Sequence, residues 1–246
     1  MKKPNINLVI ILLLVLLAAL LYGLQLLIFH DQKDTAFYLL QDLAFLPLQV
    51  AIVTVALGWL LSAREKKDRL KKANMQISAF FSEAGTDMIR SMLSFAVLPE
   101  GGWGLEVTAK WAAADFQKAA ARVRGLPFTA EAARSDLAAL KRLLLEKRSF
   151  LLIMLASPNL LEHDTFTDML WAVNHLADEL KLRDSLDDLP AADMNHLALD
   201  INRALRAVLV QWVYYMEHLK TDYLYLFSLE VRNSPFSMGA SVVITE

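Results

Sequence analysis

The sequence predicts an all-α protein: a two-helix transmembrane hairpin followed by a cytoplasmic helical bundle. Three observations lead there. Hydrophobic residues make up 56% of the 246-residue chain and mean hydropathy is +0.36, more apolar than an ordinary soluble domain. Only 8 glycines and 7 prolines interrupt the chain, which favours long helices over a turn-rich sheet protein. Two charge-free apolar runs lie near the N-terminus, ahead of a stretch with helical periodicity. The net charge of −2 and pI near 6.2 give no bulk basicity, so nucleic acid is not an expected partner. With no cysteine, disulfides, thiolate metal sites and cysteine nucleophiles are excluded.

The hairpin is assigned to residues 1–63, with spans at about 6–29 and 38–62. Ile6 to Phe29 holds 24 residues without Asp, Glu, Lys, Arg or His. At 1.5 Å per residue, such a helix crosses a hydrocarbon core of ~30 Å. Lys2 and Lys3 precede it as in a signal peptide, but the run exceeds the ~7–15 residues of a signal h-region, so a retained anchor is expected. Ala19 and Gly23 form a small-xxx-small pair that permits close helix approach.

The second run opens with YLLQDLAFLPLQV. Leu43 to Ala63 is 21 residues without charge, long enough to span by itself. Asp42 can therefore sit at the membrane boundary, avoiding the roughly 2.5–3.5 kcal/mol that it would cost at the centre of a span. Asp34 is placed to cap the helix start, and Pro47 frees the carbonyl of Leu43, predicting a kink. Gln49 follows Asp42 by two helical turns on the same face, and Gln41 is the other polar residue at this level. Two readings of these polar residues stand open. Asp42 marks the interface while Gln49 hydrogen-bonds to the first span, or Asp42, Phe45, Gln49 and Val53 line a polar path in an oligomer.

Arg64, Lys66, Lys67, Arg69, Lys71 and Lys72 crowd behind the second run, whereas the loop HDQKD between the runs holds one lysine and two aspartates. The positive-inside rule then places both termini in the cytoplasm, with the basic cluster suited to anionic headgroups.

Residues 64–230 are assigned to the cytoplasmic bundle and 231–246 to an irregular tail. No repeat of about 20–50 residues recurs. Leu70, Ile77, Phe81, Ala84, Met88, Met92 and Phe95 recur at helical spacing, predicting that the second span runs on as a helix with a buried stripe. PEGGWG breaks it. Further helices are expected over Leu105–Arg124, over Ala130–Leu155 with Thr129 as N-cap, from Asp164 or Thr165 to about Arg183, and from about Ala192 to Phe227. Trp212, Tyr214, Tyr215, Tyr223, Tyr225 and Phe227 crowd the last of these and are expected to pack the core.

Carboxylate–histidine pairs are the candidate chemistry. His175 is followed by Asp178 and Glu179, His196 by Asp200, and His218 by Asp222, each on one helix face; Glu83 and Asp87 form an acidic pair. A helical bundle can hold a metal with such groups, which makes Glu83, Asp87, His175 and His196 metal candidates. The Glu-x-x-His pairs of di-iron bundles are absent, and such residues commonly make surface ion pairs. P-loop, dinucleotide, nucleophile-elbow and zincin motifs are also absent, so no catalytic residue and no cofactor are assigned.

The segments QDLAFLPLQV, FFSEAGTDMIRSM, LLEHDTFTDMLWAVNHLADEL and YLYLFSLEVRNSPF resemble a group of small prokaryotic membrane proteins over nearly the whole chain. The resemblance implies an N-terminal two-helix hairpin, a helical domain and an inner-membrane location, and it transfers no activity. The expected role is a membrane-anchored scaffold or sensor whose bundle self-assembles or binds a cytoplasmic partner. The alternatives are an oligomeric channel lined by the second span and a metal-binding helical-bundle enzyme.

Overall fold

The computed structural model describes residues 6–29, 32–97, 101–160 and 163–236. Lys2, Lys3, His30, Asp31 and the tail beyond Phe236 lie outside the described residues, as do Pro99 and Glu100 of the PEGGWG break. The protein is all-α: no strand forms among the described residues beyond one isolated antiparallel bridge, Ala96 to Ala130. The chain divides into two units, Met1–Lys66 and Lys67–Glu246.

The first unit contains α1 (Ile6–Phe29) and the greater part of α2 (Gln32–Phe80). Leucine, alanine and other apolar residues predominate in both helices and offer few groups that compete with the backbone for hydrogen bonds. Pro47 is accommodated inside α2 without ending the helix. The apolar residues are not buried: Val55 is 73% exposed and Trp59 78%. Between Lys33 and Leu93 the chain is apolar enough, over an 18-residue window, to cross a membrane. The described apolar part of α1 is the shorter Val15–Gln25.

In the second unit the helical path continues from α2 through one π turn, Phe81–Gly85, into α3 (Thr86–Leu93). The Thr86 N–H and hydroxyl both donate to the carbonyl of Phe81, the hydroxyl at 3.1 Å. The π turn re-phases the stripe so that Phe80 and Phe81 both face inward, at 0% and 1% exposure. Ile77, Ala84, Met88, Met92 and Phe95 are buried as the periodicity requires, whereas Leu70 is exposed.

The expected helix from Leu105 begins only at α4 (Ala113–Gly125). Trp103, Leu105 and Val107 are buried while Glu106 and Thr108 are exposed. That alternation has period two, so the segment runs extended across the core. Asp115 closes the start of α4 by accepting from the Ala112 N–H at 2.8 Å. The helix expected from Ala130 is likewise shorter: α5 spans Leu137–Leu155. Its cap is Asp136, accepting from the Ala139 N–H at 2.9 Å, because the Thr129 carbonyl is instead bonded to the Val97 N–H.

Next comes α6 (Asp164–Leu182), and α7 (Ala191–Asp222) follows. The helix expected to run to Phe227 is divided at Tyr223, and α8 (Leu224–Arg232) follows, its last two residues lying where an irregular tail was expected to begin. α7 is the central element, packed against α3, α4, α6 and α8. Its middle, Leu205 to Met216, is buried on nearly every face, as suits a helix that is apolar around its circumference. Of the aromatic run, Trp212, Tyr215 and Phe227 join the core, and Tyr225 stays 72% exposed.

Candidate metal centre

α6 and α7 lie against each other in a register that brings two histidine–carboxylate turns face to face. His175 and Glu179 share one face of α6; His196 and Asp200 share one face of α7. His175 Nε2 is 3.4 Å from Asp200 Oδ2, and His196 Nε2 is also 3.4 Å from that atom. His196 Nε2 is 3.5 Å from Glu179 Oε2, and His175 Nε2 is 3.8 Å from Glu179 Oε1. One ligand atom each from His175, Glu179 and Asp200 falls within a 4.8 Å sphere of mutual separation.

Ligands at about 2.0–2.1 Å from a tetrahedral zinc ion stand about 3.3–3.4 Å apart, a spacing met by His175 Nε2 and Asp200 Oδ2. Glu179 completes a set of three, and His196 stands beside that set without belonging to it. The burial pattern agrees. Asp200 is 2% exposed, and its Oδ2 is a buried oxygen with no hydrogen-bond partner among the described residues. A buried carboxylate oxygen left unpaired costs about 1–3 kcal/mol or more, and the groups within reach of this one are the two imidazole nitrogens and any cation they share with it. The two histidine side chains are each 48% exposed, leaving a path for an ion to enter.

The supporting groups hold the carboxylates in place. Arg203 Nη1 donates to Asp200 Oδ1 at 2.6 Å, which leaves Oδ2 aimed at the histidines. Arg183 Nη1 donates to Glu179 Oε2 at 2.8 Å, while its Nε and Nη2 reach Asp193 at 2.8 and 2.6 Å. Hydrogen bonding from the Arg183 guanidinium holds the Glu179 carboxyl below its usual range, with His196 and His175 adding to the effect. The same guanidinium lowers Asp193. Glu179, Asp193 and Asp200 oppose Arg183 and Arg203, which leaves one carboxylate in excess of the guanidiniums. Hard and borderline cations suit such a donor set of imidazole nitrogen and carboxylate oxygens.

Beside the centre runs a groove of about 570 Å³. Arg203 belongs to both, since it lines the groove and grips Asp200. Other lining groups come from neighbouring turns of the same helices, among them Asp168 and Ala172 on α6 and Asn202 and Arg206 on α7, with Arg124 at the end of α4.

Of the four metal candidates, His175 and His196 meet, but Glu83 and Asp87 do not join them. Glu83 pairs with Lys147 at 2.9 Å and Asp87 with Arg90 at 3.1 Å, both on the α3 side of the bundle. The carboxylates that do meet the histidines are Glu179 and Asp200. Their signal was the spacing His-x-x-x-Glu and His-x-x-x-Asp, a full helical turn, rather than Glu-x-x-His. His218 keeps its own partner, with Nδ1 at 2.8 Å from Asp222 Oδ2. Arg64, Lys66, Lys67, Arg69, Lys71 and Lys72 are all exposed along α2, and Lys67 and Lys71 border a cavity of about 510 Å³ with His218 and Asp222. Within the first unit, Asp42 accepts a 2.8 Å hydrogen bond from the Tyr22 hydroxyl, while Gln41 and Gln49 are exposed.

Fold and sequence together define a class: an all-α protein with an apolar N-terminal helical unit and a C-terminal helical domain. Residues 69–232 match the family described as "Uncharacterized protein MJ1433, C-terminal helical domain", and residues 2–61 match "MJ1433, N-terminal helical domain". The chain belongs to this MJ1433 family. It is 36% identical to the protein MJ1433 of Methanocaldococcus jannaschii, over all of this chain and 99% of that protein. No solved structure matches the chain.

Proposed function

We propose that the protein is a membrane-anchored helical bundle on the cytoplasmic face that binds one divalent transition-metal ion at His175, Glu179 and Asp200, with His196 alongside. The observation that carries this is the buried, unpartnered Asp200 Oδ2, 3.4 Å from each of two imidazole nitrogens. His175 and Glu179 come from α6 and Asp200 from α7, so the ion would also clamp the two helices together. Arg183 and Arg203 act from behind, fixing the carboxylates as outer partners do at metal sites.

The anchor is supported by exposure. Leaving one large apolar side chain in water forgoes about 1.5–3 kcal/mol. Val50, Ile52, Val53, Val55, Leu57, Trp59, Leu60 and Leu61 alone are all half exposed or more. Their combined cost in water would rival a typical domain stability of about 5–15 kcal/mol, so lipid is the fitting solvent. The basic residues after Ala63 favour the cytoplasmic orientation. Asp42 has a donor in Tyr22, so a pore between subunits is not needed to satisfy it. A partner-docking role has one observation behind it, the exposure of Trp171, Leu199 and Tyr225 at 63, 63 and 72%.

The test is metal content. Full-length protein in phosphatidylcholine nanodiscs, stripped with chelator and dialysed against zinc chloride, is expected to retain one ion per chain. Cobalt in its place is expected to show the strong visible absorption of a tetrahedral site. Asp200→Asn and His175→Ala should each lose the ion while keeping the far-UV spectrum. Sub-stoichiometric zinc in the wild type, or zinc that survives His175→Ala with His196→Ala, would overturn the assignment.

A further inference from the structure

We propose that the groove beside the metal centre recognises a phosphate monoester, whose anionic oxygens are held by Arg203 and Arg124 next to the bound ion. The inference rests on the metal reading above. Three guanidinium groups line the groove, from Arg124, Arg203 and Arg206, against one carboxylate, Asp168. The surplus is positive in a protein whose net charge is −2. Guanidinium presents paired N–H donors that match phosphate oxygens.

The three arginines have different duties. Arg206 is committed: its Nη1 donates to the carbonyls of Val123, Arg124 and Leu126 at 2.6, 3.1 and 2.9 Å, and its guanidinium lies 4.4 Å from the Phe128 ring centroid. It caps α4 and contributes charge. Arg203 gives one nitrogen to Asp200, and its side chain is 61% exposed, so its other N–H groups face solvent. Arg124 is steadied by the Tyr214 hydroxyl and stays exposed. Arg203 and Arg124 are thus the donors with capacity for a ligand.

A phosphate monoester has a second pKa of about 6, so near neutrality it carries close to two negative charges on three terminal oxygens. One ligand therefore answers both guanidiniums and the cation proposed beside them. A carboxylate offers only two oxygens and a single charge to the same donors. The groove's volume of about 570 Å³ exceeds what phosphate alone fills and leaves Met169, Leu199 and Val210 to cover an apolar substituent.

The probes are inorganic phosphate, acetate and dihexanoyl phosphatidic acid, titrated calorimetrically into zinc-loaded full-length protein in phosphatidylcholine nanodiscs. Phosphate is expected to bind, acetate at least about tenfold more weakly, and Arg203→Gln and Arg124→Gln each to weaken phosphate by about tenfold or more. Arg124 touches no metal ligand, so Arg124→Gln must leave zinc content unchanged. Tighter binding of the lipid than of phosphate assigns the monoester to a headgroup; equal binding assigns a soluble one. Normal zinc content with no phosphate binding, or phosphate binding indifferent to both substitutions, overturns the groove assignment and leaves the metal centre standing. Absence of zinc overturns the metal centre first. Acetate binding as tightly as phosphate overturns the choice of phosphate.

Discussion

Gly85→Ala is expected to destabilise the bundle even though the residue is helical. Gly85 has φ −62° and ψ −41°, a conformation every residue adopts. Intrinsic preference alone would favour alanine in a helix by about 1 kcal/mol. The opposing effect is steric. A Cβ on Gly85 would lie 2.6 Å from Phe80 Cε1, 2.6 Å from Phe81 Cδ1 and 3.0 Å from Phe80 Cδ1. Carbon atoms prefer separations of about 3.5–4.0 Å, so both rings are overlapped by about 1 Å. Neither ring is free to swing. Phe80 packs edge-on against Phe166 at 5.4 Å between centroids, and Phe81 stacks on Tyr215 at 4.7 Å. Overpacking of a well-filled core costs typically about 1–3 kcal/mol, and two blocked rings place this case at the upper end. The net loss is about 2 kcal/mol, which corresponds to a fall in Tm of about 4–8 °C for a domain of this size. Thermal melts followed by far-UV circular dichroism would read it. Phe80→Leu in the Gly85→Ala background should recover part of the loss, because the obstructing edge is removed. An unchanged or raised Tm for Gly85→Ala would show that the rings yield and that the glycine is not required by the π turn.

Arg183→Met removes the cation shared by Glu179 and Asp193, and is expected to lower both Tm and zinc affinity, read by melts with and without zinc. The same pair fixes a pH dependence. Both carboxyls titrate below their unfolded values, so the unfolded chain binds more protons and their contribution is present at neutral pH but lost as pH falls through the folded values. Acid titration of stability should therefore be steeper in the wild type than in Arg183→Met below the ordinary carboxylate range. Zinc affinity should also fall on acidification, because protons compete for the imidazoles, and dialysis at graded pH would measure it. Arg206→Ala frees three carbonyls at the end of α4 and is expected to cost about 2 kcal/mol or more in urea unfolding, with Arg206→Lys retaining part of it.

Much of the architecture was legible from local pattern. Helix propensity and the scarcity of breakers determined the all-α class, because both act over a few residues and leave a mark in the sequence. The stripe from Ile77 to Phe95 was readable for the same reason: burial of one face imposes a 3.6-residue period. Other boundaries depended on what surrounds the segment. Leu105 and Val107 sit in an extended stretch because Trp103, Leu105 and Val107 together cover the core, and Lys220 reaches from α7 to the carbonyls of Ala109 and Trp111. The start of α5 moved to Asp136 because Thr129 was already bonded across to Val97.

The candidate centre divides in the same way. Each half was present in the sequence, as a histidine with a carboxylate one turn on. That His175 meets Asp200, and His196 meets Glu179, depends on the antiparallel register of α6 and α7. Glu83 and Asp87 carry the same residue types, yet packing assigns them to Lys147 and Arg90. Spacing along a helix is a local property and can be read from the chain. Proximity between helices follows from which apolar faces bury against each other, and only the folded core decides that.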